Sequence, residues 1–306
     1  MNRIKPPALK KGDLIGIMSP STRVDKKSLT PALRMLADYG FDIEIHPQTL
    51  KKYKSSAGTR EEKLAALSDL FSRKDIKAVF ASGGGNHSLD LLDGVDYKLI
   101  ARKPKIFMGF SDTTALLNAF NARAGLVTFH GPVLKWLPKV DDPDIVFDLL
   151  AGEKINFKTD DAFSLRNGVV TAPLVGGNLA MFNALLGTPY MPRLDGAILF
   201  LEDINEELSH LDRVFTRMRL AGVLDKIAGL VLGQFTDCKD TGHTPYGFKF
   251  EDILAKNFGM LKIPVVMNMP FGHCPELCAV PIGTPVRLNA HGVRVTFRLD
   301  EPAVSL

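Results

Sequence analysis

Cysteine is scarce in this chain, with three in 306 residues, at Cys238, Cys274 and Cys278. An odd count this small builds no disulfide framework, and reduced thiols fit the cytosol. Cys274 and Cys278 are not in C-x-x-C spacing and the histidines are scattered, so no metal site is expected, and no nucleotide-cofactor motif is present. Long apolar runs are missing too. No stretch approaches the ~20 residues of a membrane span. The opening MNRIKPPALKKGDLIG carries positive charge but lacks the apolar core of a signal peptide. The expectation is a cytoplasmic protein with no membrane partner. Nor does one sign of charge prevail: 38 Lys and Arg against 34 Asp and Glu leave +4. The densest basic cluster, Lys51, Lys52 and Lys54, has Tyr53 as its single aromatic neighbour, which is no stacking platform, so nucleic acid is an unpromising partner.

What is present is an ordinary globular composition, 45% hydrophobic and 24% charged, in a chain long enough for two domains. The first half alternates short β-branched runs with amphipathic stretches, the pattern of a mostly parallel sheet covered on both faces. Strands are expected at 13–18, 41–45, 78–81 and 106–108, with helices at 29–39, 61–71 and 113–122. Between about 138 and 167 the periodicity weakens and charge rises, which reads as a linker with one short helix. The expected organisation is an N-terminal doubly wound α/β domain over 1–140, a linker over 141–170 and a smaller C-terminal α/β domain over 171–306. In the last, helices are expected at 179–186 and 208–220, strands at 197–201, 229–232 and 265–268, and a terminal hairpin around Asn289-Ala290-His291-Gly292.

Four segments could carry chemistry. In KIFMGFSDTTALLNAF an apolar strand meets a helix at Gly109-Phe110-Ser111-Asp112, a turn that could lift a serine hydroxyl clear of the sheet beside helix N-terminal amides. Thr113 stands where the second glycine of a nucleophile elbow would be, and from these residues alone a helix cap is the simpler explanation. Second, Ser82-Gly83-Gly84-Gly85-Asn86-His87-Ser88 follows an apolar strand. Three glycines let backbone N–H groups face a phosphate or an oxyanion, whereas a tight turn accounts for one glycine more easily than for three. Third, Glu202 and Asp203 arrive at the carboxyl end of the strand GAILFLED, where open α/β sheets place their sites. Fourth, His273 lies in the loop MPFGHCP. Position alone does not select it over the other six histidines.

Taken together, GGGNHSLDLLDGVDYKLI, KPKIFMGFSDTTALL, LVTFHGPVL, VGGNLAMFNALLGTPY, the run from Leu194 to Phe235 and FGHCPELCAVPIGTPVRLNA resemble the LD-carboxypeptidase family of serine peptidases, which includes the microcin C self-immunity proteins. The resemblance runs from about Gly12 to Leu288. It implies a Ser-Glu-His triad at Ser111, Glu202 and His273, with oxyanion donors from the amides of Asp112 and of Gly85 or Gly84. Asn86, Ser88 and Trp136, the only tryptophan, are the expected substrate contacts, although a lone tryptophan is also an ordinary packing residue. The implied activity is removal of the terminal D-alanine from murein tetrapeptides in cell-wall recycling, by a homodimer without a cofactor. Many family members have Arg-Gly-Gly-Tyr where this chain has Gly83-Gly84-Gly85-Asn86. The microcin-immunity branch often lacks that arginine, so a peptidyl- or aminoacyl-nucleotide is the alternative substrate. A cysteine hydrolase using Cys274 and a non-catalytic module binding phosphate or carboxylate through the glycine turn are the readings from other classes.

Overall fold

The computed structural model describes residues 3–159 and 161–306. The N-terminal half runs β1 (Leu14–Met18), α1 (Lys26–Asp38), β2 (Asp42–Ile45), α2 (Arg60–Ser72), β3 (Ile76–Ala81), α3 (Tyr97–Arg102), β4 (Ile106–Gly109), α4 (Thr114–Ala124) and β5 (Thr128–His130). Strands such as IKAVFA and IFMG are almost wholly apolar because helices cover both faces. Several helices have readable boundaries. Thr59 and Glu62 make a reciprocal capping box at the start of α2, and Gly125 closes α4 in the left-handed conformation at φ 71. Asp25 caps α1, which therefore starts three residues earlier than the Leu29 expected from its apolar spacing.

The C-terminal half continues with α5 (Asp144–Ala151), β6 (Asn156–Lys158), β7 (Phe163–Arg166), β8 (Gly168–Asn178), α6 (Leu179–Ala184), β9 (Ile198–Ile204) and α7 (Leu208–Leu220). It ends with β10 (Gly229–Thr236), α8 (Phe250–Phe258), β11 (Val265–Met267), β12 (Val280–Ile282), β13 (Pro285–His291) and β14 (Arg294–Arg298).

The first sheet has the order β12-β5-β4-β3-β1-β2, parallel except for β12, which runs antiparallel to β5. Strand order reverses between β1 and β3, the place where open α/β sheets put their sites. The second sheet has the order β6-β14-β13-β8-β9-β10-β11-β7, parallel from β8 to β11 and antiparallel at both flanks. This is the expected mixed α/β architecture with a mostly parallel first sheet. One apolar cluster reaches from Ile17 and Phe107 through Phe200 to Phe271, and a second lies under α7 and α8.

Two local expectations need correction. The charged stretch read as a linker with one helix also holds β6 and β7, which pair with β14 and β11 at the two edges of the second sheet. β7 is largely exposed, so its sequence lacks the alternation that marks a half-buried strand. The terminal hairpin turns two residues later than expected. Asn289 pairs with Thr296 inside the ladder and His291 pairs with Arg294, so Gly292-Val293 makes the turn, with Gly292 at φ 58.

Candidate active site

Ser111 follows β4 on a single 3-10 turn, Ser111–Thr113, that leads into α4. Its φ is +58, a conformation that non-glycine residues rarely adopt and that tight packing must enforce. The packing is visible on both sides. A Cβ on Gly109 would lie 2.8 Å from Thr113 Cγ2 and 3.0 Å from Ala81 Cβ, so only glycine lets the turn close over β3. A Cβ on Gly84 would lie 3.1 Å from both Cβ and Oγ of Ser111, which puts the glycine turn directly against the serine. Thr113, at the position of the missing second glycine, is fully buried beneath this bend.

Asp112 locks the turn to its neighbours. It is 2% exposed, and Oδ2 accepts the Ser21 hydroxyl and the Ser88 amide, the latter at 2.9 Å. The Ser88 hydroxyl donates to the Asp112 carbonyl. One residue thus joins the loop after β1, the glycine turn and the serine turn. Burial raises the Asp112 carboxyl above its ordinary range, and the Ser21 and Ser88 hydrogen bonds oppose that rise.

Glu202 projects from β9 and is completely buried. Its Oε2 lies 2.9 Å from His273 Nδ1. The loop that carries His273 can fold onto this carboxylate because Gly272 has φ 108; a Cβ there would stand 2.5 Å from Glu202 Oε2. Thr236 Oγ1, from β10, donates to the His273 carbonyl at 3.0 Å and ties the loop down. The imidazole rests on Phe110, the residue before Ser111, with ring centroids 4.7 Å apart, and meets Trp136 edge-on at 5.8 Å. Phe110 therefore links the serine turn to the histidine loop. Ser111 Oγ has no hydrogen-bond partner among the described residues.

Placement differs among the other expected residues. The amides of Gly84 and Gly85 donate no hydrogen bond to the described residues, and Gly85 has φ 123, where a Cβ would collide with Thr22 Oγ1. Asn86 is exposed and uses its Oδ1 on the His87 amide at 2.8 Å. Ser88 is fully buried with both polar groups given to Asp112, so it holds the turn rather than facing a ligand. Trp136 packs on Phe110 at 5.7 Å, and its indole Nε1 is buried without a partner among the described residues. Cys274 is buried, which pushes its thiol up to about 12, the opposite of an activated nucleophile.

Two site residues lacked a distinct role in sequence. His130, on β5 beside Gly109 of β4, is completely buried between Phe110 and Phe200. Burial pushes its imidazole down to about 4, against the pull of Glu202, so it is neutral near pH 7. Asp203 points to the opposite face of β9 from Glu202, as strand alternation requires. There it accepts Asn178 Nδ2 at 2.7 Å and the amides of Ala180 and Ile204 at 3.0 and 2.9 Å. Burial and the Glu202 charge push its carboxyl up to about 6. Of the two, only Asp203 had its strand-end position legible beforehand, because the neighbours of both come from distant segments: Phe110 and Phe200 for His130, Asn178 and Ala180 for Asp203.

The chain as a whole has counterparts among known proteins. The profile of the LD-carboxypeptidase N-terminal domain matches residues 15–131, and that of the C-terminal domain matches residues 171–288. The protein named "Probable murein peptide carboxypeptidase" of Bacillus subtilis is 33% identical over 292 residues, covering 93% of this chain and 91% of its own. The "Murein tetrapeptide carboxypeptidase" of Pseudomonas aeruginosa is 30% identical over 298 residues, covering 92% and 94%. The crystal structure of an MccF-like protein from Bacillus anthracis superposes with a TM-score of 0.87 at 26% identity, covering 96% of this chain and 98% of that one. With both halves matched in order, the chain belongs to the LD-carboxypeptidase family of serine peptidases.

Proposed function

We propose that the protein is a cytoplasmic serine carboxypeptidase that hydrolyses the L,D amide bond of murein tetrapeptides and releases D-alanine during cell-wall recycling. The observation that carries this reading is the buried Glu202–His273 pair packed through Phe110 against the strained Ser111 turn. The family and the names of the relatives above support the substrate.

In this reading Ser111 Oγ attacks the scissile carbonyl and His273 Nε2 takes its proton, while Glu202 accepts the Nδ1 hydrogen and stabilises the imidazolium. The carbonyl oxygen becomes an anion held by the amide of Asp112 and that of Gly84 or Gly85; each such donor contributes about 10²- to 10³-fold in rate. The C–N bond then breaks as His273 returns the proton to the D-alanine nitrogen. Water repeats the sequence on the acyl-serine, with His273 again as base. Trp136 and Asn86 border the histidine and the glycine turn, where a substrate would lie. Among the described residues no helix is long and apolar enough to cross a membrane.

The decisive experiment mixes purified protein with a murein tetrapeptide and measures free D-alanine. Release that disappears in Ser111→Ala supports the proposal; no release from the wild type counts heavily against it. Gly83 in the place of the arginine common in the family favours a second reading, an amidase acting on peptidyl- or aminoacyl-nucleotides. Cleavage of an aminoacyl sulfamoyl-adenylate, with murein peptides left intact, would establish that reading instead. The homodimer expected from the family is tested by light scattering on the eluting protein.

A further inference from the structure

Beside the glycine turn lies a cleft of about 350 Å³ that has no part in the chemistry above. It is lined by Gly58 and Thr59 at the start of α2, by Lys63 in the first turn of that helix, and by His87 of the glycine turn. Helical side chains lean toward the N-terminus of their helix, so a first-turn residue carries its end group to the helix start, where unpaired amides make the field positive. Lys63 is 1% exposed and among the largest fully buried side chains of the molecule. Among the described residues its ammonium has neither a hydrogen-bond partner nor an ion pair; Asp112 and Asp90 act on it only through space. A buried ammonium with no anion in contact is costly to the fold, which makes it a marker of function.

The other ionisable groups around the cleft are Lys54, Arg60, Glu61, His87 and Asp90. Arg60 is taken: it pairs with Asp93 and stands 3.9 Å from Asp90. His87 Nε2 and Ser55 Oγ share a hydrogen bond at 3.0 Å, which holds the glycine turn to the loop before α2. Glu61 is exposed, so water stabilises its charge. The Lys54 ammonium lies over the Tyr53 ring at 5.7 Å and has no ion pair among the described residues. What remains is a buried cation and an exposed one at a helix N-terminus, with no buried anion of the cleft to meet them. The glycine turn itself, residues 82–88, has no Lys or Arg, so the charge beside it comes from α2 and the loop before it.

We propose that this cleft binds an anionic group of the substrate, with the Lys63 ammonium as its buried counter-charge, and that in a murein peptide the group is a free carboxylate of the acyl part, away from the bond that is cut. Ser88, the residue after His87, donates its amide to Asp112 beside Ser111, so the cleft borders the segment along which a substrate would lie. Yet none of Ser111, Glu202 and His273 lines it. The carboxylate of a terminal D-alanine is one carbon from the leaving nitrogen and stays beside His273, whereas carboxylates of the acyl part reach further. A carboxylate or a phosphate suits the same donors, a helix N-terminus and an ammonium.

The identity of the anion rests on the function proposed above; the site does not, and the test keeps the two apart. Inorganic phosphate titrated into the full chain should shift the amide resonances of Ser55, Arg60 and His87 in the wild type and leave them in place in Lys63→Met. No shift at these amides, or the same shift without Lys63, overturns the site. With a murein tetrapeptide, Lys63→Met is expected to raise KM for D-alanine release about 10- to 100-fold, with kcat changed less than about 3-fold, as loss of a charge-assisted contact made equally before and in the transition state does. Amidating the carboxylates of the acyl part should raise the wild-type KM by a similar factor and cost Lys63→Met little more, since both changes remove one interaction. A fall in kcat alone, or losses that simply add, makes Lys63 a scaffold residue and overturns the proposal. Lys63→Gln keeps most of the stem and provides the same readouts should the methionine variant fold poorly. Lys54→Met, at the exposed rim, should weaken phosphate binding about 2- to 5-fold. A wild type that binds phosphate in the cleft but releases no D-alanine refutes the murein substrate and leaves the site standing; a KM for an aminoacyl-nucleotide that depends on Lys63 then assigns the nucleotide phosphate as the anion.

Discussion

Gly272 shows how one atom decides whether the His273 loop can close on Glu202. A methyl group there would have to adopt φ 108 and occupy space 2.5 Å from Glu202 Oε2. Gly272→Ala should therefore lower kcat at least about 100-fold by parting Glu202 from His273, measured as D-alanine release from protein whose circular dichroism spectrum is unchanged. Ser111→Ala, with its hydroxyl gone, should abolish release at unchanged melting temperature. His130 makes a prediction about pH. Its folded pKa of about 4 lies below the unfolded value of about 6.5, so the stability it contributes is fully present above about pH 6.5 and is lost as pH falls toward 4. Asp203, raised to about 6, acts in the opposite sense, disfavouring the fold as pH rises from about 4 to 6. Comparison with His130→Asn cancels the Asp203 contribution. Between pH 7 and pH 5 the wild type should lose about 2 kcal/mol more than the variant in urea denaturation. The serine, glutamate and histidine were all legible in sequence by their turn chemistry and family pattern. The roles of Ser88 and His130 were not, because a serine in a glycine-rich turn looks like a ligand contact until its partner Asp112, 24 residues away, is seen to engage it.

Among the elements, β9 does the most to organise the site. Its alternation sends Glu202 to His273 and Asp203 to the start of α6, so one strand end holds the imidazole that the proposed function uses as base and anchors the following helix at once. Asn178 is the hinge of that arrangement: it caps α6 through Oδ1 to the Met181 amide at 3.2 Å while donating to Asp203. Asn178→Ala should lower unfolding stability by about 1–2 kcal/mol through loss of the cap, read from the urea midpoint. It should also raise the Asp203 carboxyl further, because a hydrogen bond to the charged form is removed. Elements with a strong internal pattern, such as α7 at Leu208–Leu220, were legible residue for residue. β6 and β7 were not, since edge strands take their stability from pairing with distant β14 and β11 rather than from a pattern of their own.

Across the whole molecule, the two halves share a sheet and a core. β12, from the C-terminal half, completes the first sheet by pairing Val280 with His130 and Ile282 with Thr128, and the principal apolar cluster includes Phe107, Phe200 and Phe271 alike. A fragment of residues 1–140 would expose the β5 edge and that shared core. It should show no cooperative thermal transition, whereas the full chain should melt in one step followed identically by fluorescence and circular dichroism. A fragment that melts cooperatively would show that the halves fold independently. Joining the halves this way also fixes the distance from β4 to β9, and with it the approach of His273 to the serine turn.

By itself, the sequence determined the local features: helix ends from Thr59, Asn178 and Gly125, the apolar central strands, the glycine turn and the serine between a strand and a helix. These depend on backbone preferences and burial periods that act over a few residues. The tertiary structure alone decided which groups meet: His273 with Glu202, and Ser88 with Asp112. Those encounters depend on strand order and on the close approach of chain segments 24 and 71 residues apart, and no local propensity encodes that.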